Sequence, residues 1–257
     1  MKDFENKVAI VTGAGAGIGF EIARQLALRG AAVLLNDIDA KVAKGAADRI
    51  TEEGGRCSHI VGDSSDISFI QRMVDGAVEK FGRLDIAVAN AGITTFGKFM
   101  EYRPEDFQRL TAVNLQGTFF LAQAAARQMR EQGDGGRILF MSSVTGHRAA
   151  PQLAAYGMTK AAIEMLARAL PAELSQYGIT INAIAPGATL TERTAQEMPN
   201  YAEAWGGVIP TGRSNTTGDI AHTALFLLSP QARQINGQTI IVDGGWTGTA
   251  PTPEGFE

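Results

Sequence analysis

Seven short apolar runs, rich in Val and Ile, are separated from one another by stretches with helical spacing, and this alternation constrains the fold more than any other feature. The runs are "KVAIVT" (7–12), "AAVLLN" (31–36), "SHIVG" (58–62), "LDIAVAN" (84–90), "RILFMSS" (137–143), "ITINAIA" (179–185) and "QTIIVD" (238–243). Runs this short, with little polar alternation, read as strands buried on both faces. Between them, apolar residues such as Ile18, Ile22, Leu26 and Leu28, or Phe107, Leu110, Val113 and Leu115, recur at helical intervals. Strand and helix in regular succession form right-handed βαβ units. The expected class is therefore α/β, a doubly wound, mostly parallel sheet of seven strands with helices on both faces. A chain of 257 residues with 45% hydrophobic residues can bury such a core as one domain spanning 1–257. Only the stretch 191–215 and the tail 246–257 leave the pattern, and specificity is expected to lie there.

The turn after the first run is "TGAGAGIG" (12–19). It fits T-G-x-x-x-G-x-G through Thr12, Gly13, Gly17 and Gly19, and does not fit G-x-G-x-x-G in any register. Residues without a Cβ let the backbone approach a pyrophosphate, and the amides of a helix N-terminus point at its charge. Ile18 lies inside the same turn. Asp37 ends the second run, 18 residues after Gly19, where an acid would accept hydrogen bonds from adenosine ribose hydroxyls. It would repel a 2′-phosphate, and neither Ala16 nor Ile38 and Asp39 supplies a cation to hold one. NAD is thus expected over NADP. The competing reading makes Asp37 the cap of the next helix, a task Asp39 can also perform. Asp63, past the third run, either accepts from an adenine amino group or forms a turn.

Tyr156 and Lys160 stand four residues apart in "YGMTK" (156–160), so on a helix they share one face. A free phenol is a poor base at neutral pH, and a neighbouring ammonium favours its ionised form. Such a pair suits proton exchange with a hydroxyl or carbonyl beside a nicotinamide. The spacing alone is common on solvated helix faces.

Seven motifs in one order give the pair its context: "TGAGAGIG" at 12, "ANAG" at 89–92, "VNLQG" at 113–117, "SSVTG" at 142–146, "YGMTK" at 156–160, "PGATLT" at 186–191 and "DGGW" at 243–246. Over its whole length the chain resembles the short-chain dehydrogenase/reductases, which implies a single Rossmann-like domain. The resemblance maps the family's Asn, Ser, Tyr and Lys tetrad onto Asn114, Ser143, Tyr156 and Lys160. Ser143 rather than Ser142 matches, 13 residues before Tyr156; its role would be to hold the substrate oxygen. Asn114 falls inside a helical stretch expected from about Pro104 to Gln132, where a kink near Asn114 and Gly117 would free a carbonyl for a water beside Lys160. The resemblance places Asn90, Ala91 and Gly92 near the nicotinamide ribose, Pro186, Gly187 and Thr189 at the turn after the sixth strand, and Thr191 at the carboxamide. The family usually carries Asn where this chain has Ala89. Lys160 would also bind ribose hydroxyls. Helices at about 104–132 and 153–177 would pair in a homotetramer.

Residues 192–212 occupy the family's mobile lid, with Tyr201 and Trp205 either walling the substrate pocket or forming a small core of their own. His147 and Arg148, just after Ser143, either meet a hydroxylated or anionic substrate or remain solvated. The expected activity is NAD-dependent oxidation of a secondary alcohol on a sugar or polyol. A 3-oxoacyl thioester reductase is the alternative, and an inactive cofactor-binding regulator a more distant one. A formal charge of -4, from 23 Lys and Arg against 27 Asp and Glu, argues against a nucleic-acid surface. The lone Cys57 permits no intramolecular disulfide and suits a reducing cytoplasm. No apolar run is long enough to span a membrane, "MKDFENKVAIVTGAG" is too polar for a signal peptide, and His59, His147 and His222 show no metal-ligand spacing. The Pro- and Gly-rich tail is expected to fray or to lie over a neighbouring subunit.

Overall fold

Alternate residues of the first strand feed two different cores. In β1 (Val8–Val11), Ala9 and Val11 pack into one apolar cluster while Val8 and Ile10 pack into another, as the two-residue period of a strand requires. The computed structural model describes residues 3 to 249, and within them the expected alternation continues. Helix α1 (Gly17–Leu28) leads to β2 (Ala32–Asp37), α2 (Ala40–Glu52) to β3 (Arg56–Val61), and α3 (Ile67–Phe81) to β4 (Ile86–Ala89). Helix α4 (Pro104–Thr111) passes through a π turn at Ala112–Gly117 into α5 (Thr118–Gln132), followed by β5 (Gly136–Met141). Helices α6 (Ala154–Ala169) and α7 (Pro171–Leu174) precede β6 (Ile179–Pro186). The chain ends through β7 (Thr189–Leu190), α8 (Glu192–Glu197), α9 (Tyr201–Gly206), β8 (Asn215–Thr216), α10 (Thr217–Leu228) and β9 (Thr239–Val242).

The main sheet has seven strands in the order β3-β2-β1-β4-β5-β6-β9, every neighbouring pair parallel. Helices α1, α2 and α10 cover one face around Ile22, Leu26, Ile50 and Leu225; α3, α5 and α6 cover the other around Met73, Leu121 and Ile163. This is the seven-stranded, doubly wound arrangement expected. The strand order reverses between β1 and β4, and a crevice opens there at the carboxyl ends of the strands.

Three local features depart from the sequence reading. A second sheet pairs β7 with β8, two residues each, too short to carry any apolar pattern. The helix expected over 104–132 is not simply kinked but widened into a π turn around Asn114. Past Gly245, where no helix was expected, Trp246–Gly248 forms one 3-10 turn; the rest of the tail, residues 250–257, lies outside the described residues.

The opposite edge of the sheet is closed by one acid. Asp85, just before β4, accepts from Val8 N–H (2.9 Å), Lys7 Nζ (3.1 Å) and both arms of Arg83 (2.8 and 2.7 Å), while Arg83 also reaches Asp134. Burial raises the Asp85 carboxyl, and the Arg83, Val8 and Lys7 contacts outweigh it, holding the group below the usual carboxylate range.

Candidate active site

A cleft of about 930 Å³ runs along the carboxyl ends of β1, β2, β4, β5 and β6. Its floor is the glycine turn. Gly13 and Gly17 hold φ of +59° and +60°, which side chains with a Cβ rarely adopt. The Thr12 hydroxyl accepts from the N–H groups of Asn90 and Ala91 (3.1 Å each), and Asn90 Nδ2 donates to Thr12 O and Gly13 O (2.9 Å each). Asn90 thus braces the turn from the neighbouring strand's end, and its flanking Ala91 and Gly92 line the cleft.

The residues fit a dinucleotide. Helices α2, α3, α8 and α10 all begin under a side-chain cap, from Asp39, Asp66, Thr191 and Thr216. Among the described residues no side chain caps α1, whose N-cap is Ala16, so its first amides, around Gly17, Ile18 and Gly19, stay available to an anion. A Cβ on Gly17 would meet only Thr191, at 3.6 Å, so the space above the turn is open.

Asp37 stands at the end of β2 on the cleft wall. Its Oδ2 accepts from Gly15 N–H (3.0 Å) and its Oδ1 from Asp39 N–H (3.1 Å), while Asp39 itself caps α2. Capping is therefore Asp39's task, and no cation pairs with Asp37 among the described residues. Gly15 is not among the glycines that T-G-x-x-x-G-x-G singles out, yet a Cβ there would stand 2.7 Å from Asp37 Oδ2. Close approach of the second strand's acid is the signal that would have marked it. Asp63 lines the cleft while forming a turn, its Oδ1 accepting from Ser65 N–H (2.8 Å) and Ser65 Oγ (2.7 Å).

Tyr156 and Lys160 rise from the first turns of α6 into the same cleft, with Lys160 Nζ 5.5 Å from the Tyr156 ring centroid. Lys160 is 4% exposed and donates to Met141 O (2.8 Å) at the end of β5. Ser143 follows that strand end. Its Oγ accepts from Thr145 N–H (3.3 Å) and Thr145 Oγ1 (3.0 Å), which occupies both lone pairs and leaves its own O–H to donate into the cleft. Neighbouring Ser142 is committed elsewhere, donating to Lys160 O and Glu164. Asn114, fully buried in the π turn, accepts from Ile93 N–H (2.9 Å) and donates to Ile93 O (3.0 Å) and Thr159 Oγ1 (3.1 Å). It ties the loop after β4 to α6, next to Gly92, where an added Cβ would lie 3.4 Å from both Asn114 Oδ1 and Lys160 Nζ.

Pro186, Gly187, Thr189 and Thr191 form the far wall. Thr189 Oγ1 donates to Gly187 O (3.0 Å), and Thr191 caps α8 through a capping box with Thr194. Thr94, Thr95, Arg193 and Tyr201 also line the cleft; Thr94 and Thr95 were invisible to motif reading because loop residues carry no periodicity. Burial pushes the Tyr201 phenol up, keeping it protonated.

His147, Arg148 and Trp205 lie outside the cleft lining. His147 Nε2 is 3.0 Å from Glu164 Oε1. Arg148 stacks 4.6 Å over Trp246 and donates to its carbonyl (3.2 Å). Trp205 packs between Tyr201 (6.1 Å) and Trp246 (5.4 Å), so these aromatics form a small core of their own with Tyr201 at its cleft end. The Cys57 thiol is pushed up to about 12 by burial and is no nucleophile at neutral pH. Among the described residues no group of three or more His, Cys, Asp or Glu side chains is gathered as a metal site, and no helix is long and apolar enough to cross a membrane.

A family model described as enoyl-(acyl carrier protein) reductase matches residues 13–247. The chain is 38% identical over 245 residues to an L-rhamnose-1-dehydrogenase of Scheffersomyces stipitis, covering 93% of this chain and 95% of that one. Among solved structures, a gluconate 5-dehydrogenase from Burkholderia cenocepacia in complex with NADP and tartrate superposes with a TM-score of 0.89 at 35% identity, covering 97% of this chain and 99% of the other. A 7α-hydroxysteroid dehydrogenase complexed with NADH gives 0.90 at 36%, covering 95% of each.

Proposed function

This chain belongs to the short-chain dehydrogenase/reductase family, an oxidoreductase acting on CH–OH groups, and from that premise we propose that it is an NAD-dependent dehydrogenase of a small polyhydroxylated substrate, a sugar or polyol. The observation that carries the reading is the polar lining of the cleft that Tyr156 enters: Ser143, Thr94 and Arg193 offer hydroxyls and a guanidinium to a hydroxylated substrate. The sugar and sugar-acid dehydrogenases among its relatives support it.

In the proposed mechanism the glycine turn and the free amides of α1 hold the pyrophosphate, Asp37 accepts from the adenosine ribose, and Lys160 reaches the nicotinamide ribose. A bound nicotinamide supplies the hydride acceptor. Ser143 donates its O–H to the substrate oxygen, fixing the carbinol carbon in place. Tyr156 would take the hydroxyl proton as that carbon gives up its hydride, with the Lys160 ammonium beside it on the same helix face. The products would be the ketone or lactone, the reduced nicotinamide and a protonated Tyr156; reduction would run the same steps backwards. Asn114 braces the loop beneath these groups.

Asp37, two backbone N–H groups and no cation together favour NAD over NADP. The same feature disfavours the acyl-thioester reductase reading, since reductases of that class commonly use NADPH. Exposed Phe107, Phe119, Met158 and Met165 on α4, α5 and α6 support a homotetramer, which a solution mass near the 27.2 kDa of one chain would refute. The single cysteine supports a cytoplasmic setting.

The deciding experiment is a panel of sugars, polyols and hydroxy acids with NAD and NADP, and of 3-oxoacyl thioesters with NADH and NADPH, followed by nicotinamide absorbance. Turnover of a sugar or polyol with NAD is the expected result. Turnover confined to acyl thioesters with NADPH would replace this reading with the reductase.

A further inference from the structure

One buried acid has no part in the steps above. Glu164 lies in α6, only 5% exposed, two helical turns beyond Tyr156 and one beyond Lys160, on the same face. Ser142 Oγ donates to Glu164 Oε1 at 2.6 Å and to the Lys160 carbonyl at 3.1 Å. His147 Nε2 approaches the same Oε1, at 3.0 Å. Residues 142 and 147 bracket Ser143 and the 3-10 turn Val144–Gly146 that follows it. The turn lies flat on the helix, for a Cβ at Gly146 would stand 2.6 Å from Glu164 Oε1 and 3.1 Å from Ala161 N.

We propose that Glu164 is a positioning residue whose one carboxylate oxygen clamps both ends of the loop carrying Ser143, and so sets Ser143 against Tyr156 and Lys160. The three reacting groups come from two separate elements, β5 with its following loop and α6. Lys160 Nζ on Met141 O fixes the strand end alone. Ser143 lies beyond that point, on a turn, and the Glu164 contacts are what hold the turn from both sides. Ser142 Oγ gives the buried carboxyl its hydrogen bond and His147 Nε2 lies at ion-pair distance from the same oxygen, so losing Glu164 would leave Ser142 only its longer contact to the Lys160 carbonyl and release His147. His147, read from the sequence as either a substrate contact or a solvated residue, acts here through the loop.

The inference rests on the dehydrogenase reading for its rate measurement, so the test includes a readout free of turnover. Full-length Glu164→Leu, Glu164→Gln and Ser142→Ala are compared with wild type for kcat and KM on the best alcohol found, for NADH binding by fluorescence, and for amide hydrogen exchange over residues 142–148. Glu164→Leu is expected to lower kcat about 10- to 100-fold, the scale on which a misplaced reacting group costs rate, with NADH affinity and the KM for NAD unchanged. Exchange in 142–148 rises with it. Glu164→Gln keeps an acceptor oxygen and is expected to restore kcat to within about threefold, with wild-type exchange. Wild-type kcat and exchange in Glu164→Leu overturn the proposal, as does a Gln variant as slow as Leu. Should the Leu variant fail to fold, Ser142→Ala decides by the same two measurements, a lower kcat with faster exchange supporting the clamp and wild-type values overturning it. If wild type turns over no alcohol with either nucleotide, the dehydrogenase reading falls, and hydrogen exchange alone still decides the clamp.

Discussion

Asp37 and Asp85 sit at opposite ends of the same sheet and have opposite surroundings. Asp85, at the amino edge, is almost wholly buried and accepts from two cations and a backbone amide. Asp37, at the carboxyl edge, accepts only from two backbone amides and faces a cleft. A carboxylate can accept about four hydrogen bonds. Asp85 has used that capacity within the fold, whereas Asp37 keeps part of it for a ligand. The two edges follow the same division: the amino edge joins strands to one another, and the carboxyl edge leaves uncapped amides and a free Ser143 O–H facing the cleft that Tyr156 and Lys160 line. Substitutions at the carboxyl edge are therefore expected to cost activity, and at the amino edge stability.

Tyr156→Phe tests the division most severely. Removing the proton acceptor is expected to lower kcat about 10²- to 10⁴-fold, the usual contribution of a general base, while the melting temperature stays within about 2 °C. A fall in stability with rate preserved would invert the comparison. Asp85→Ala is expected to do the reverse, destabilising by about 3 kcal/mol in urea because Arg83 and Lys7 lose their shared acid and Val8 N–H its acceptor, with kcat of the remaining folded protein unchanged. Asp37→Ala sits between them in kind and below both in size. It is expected to weaken NADH binding about tenfold, worth about 1.4 kcal/mol, and to narrow the preference over NADPH, with no change in urea midpoint. Undiminished discrimination between the two nucleotides would remove Asp37 from its role.

How far the sequence alone foresaw this division depends on what each residue answers to. The strands were readable because Val and Ile on both faces leave a continuous apolar run, as in β1, every residue of which is buried. Tyr156, Lys160, Ser143 and Asn114 were readable only in company, since each alone is an ordinary residue of a helix, turn or π turn. Gly15 was not, because its importance lies in a contact with Asp37, 22 residues on. The contacts of His147 and Arg148 were equally hidden, made to Glu164 and Trp246 on segments whose approach no local pattern encodes. Asp85 carries no sequence signal, for a single acid before a strand looks like a turn residue until Lys7, Arg83 and Val8 converge on it.

The smallest expected effect concerns pH, and it isolates the amino edge. The Asp85 carboxyl lies below its ordinary range when folded, since the Arg83, Val8 and Lys7 contacts together exceed the opposing effect of burial. A group depressed in this way binds its proton more readily unfolded than folded, so stability rises with pH across the interval between the two values. Its contribution is complete above about pH 5 and is lost as pH falls through the folded value. Other depressed acids, Asp66, Asp106 and Asp243 among them, add slopes of the same sign, so the absolute acid sensitivity of the protein does not identify Asp85. The difference between wild type and Asp85→Asn does. Asn cannot ionise, so urea midpoints measured from pH 7 down to pH 3 should converge as the wild-type carboxyl takes up its proton, and parallel curves would show that Asp85 is not the acid whose charge the amino edge depends on.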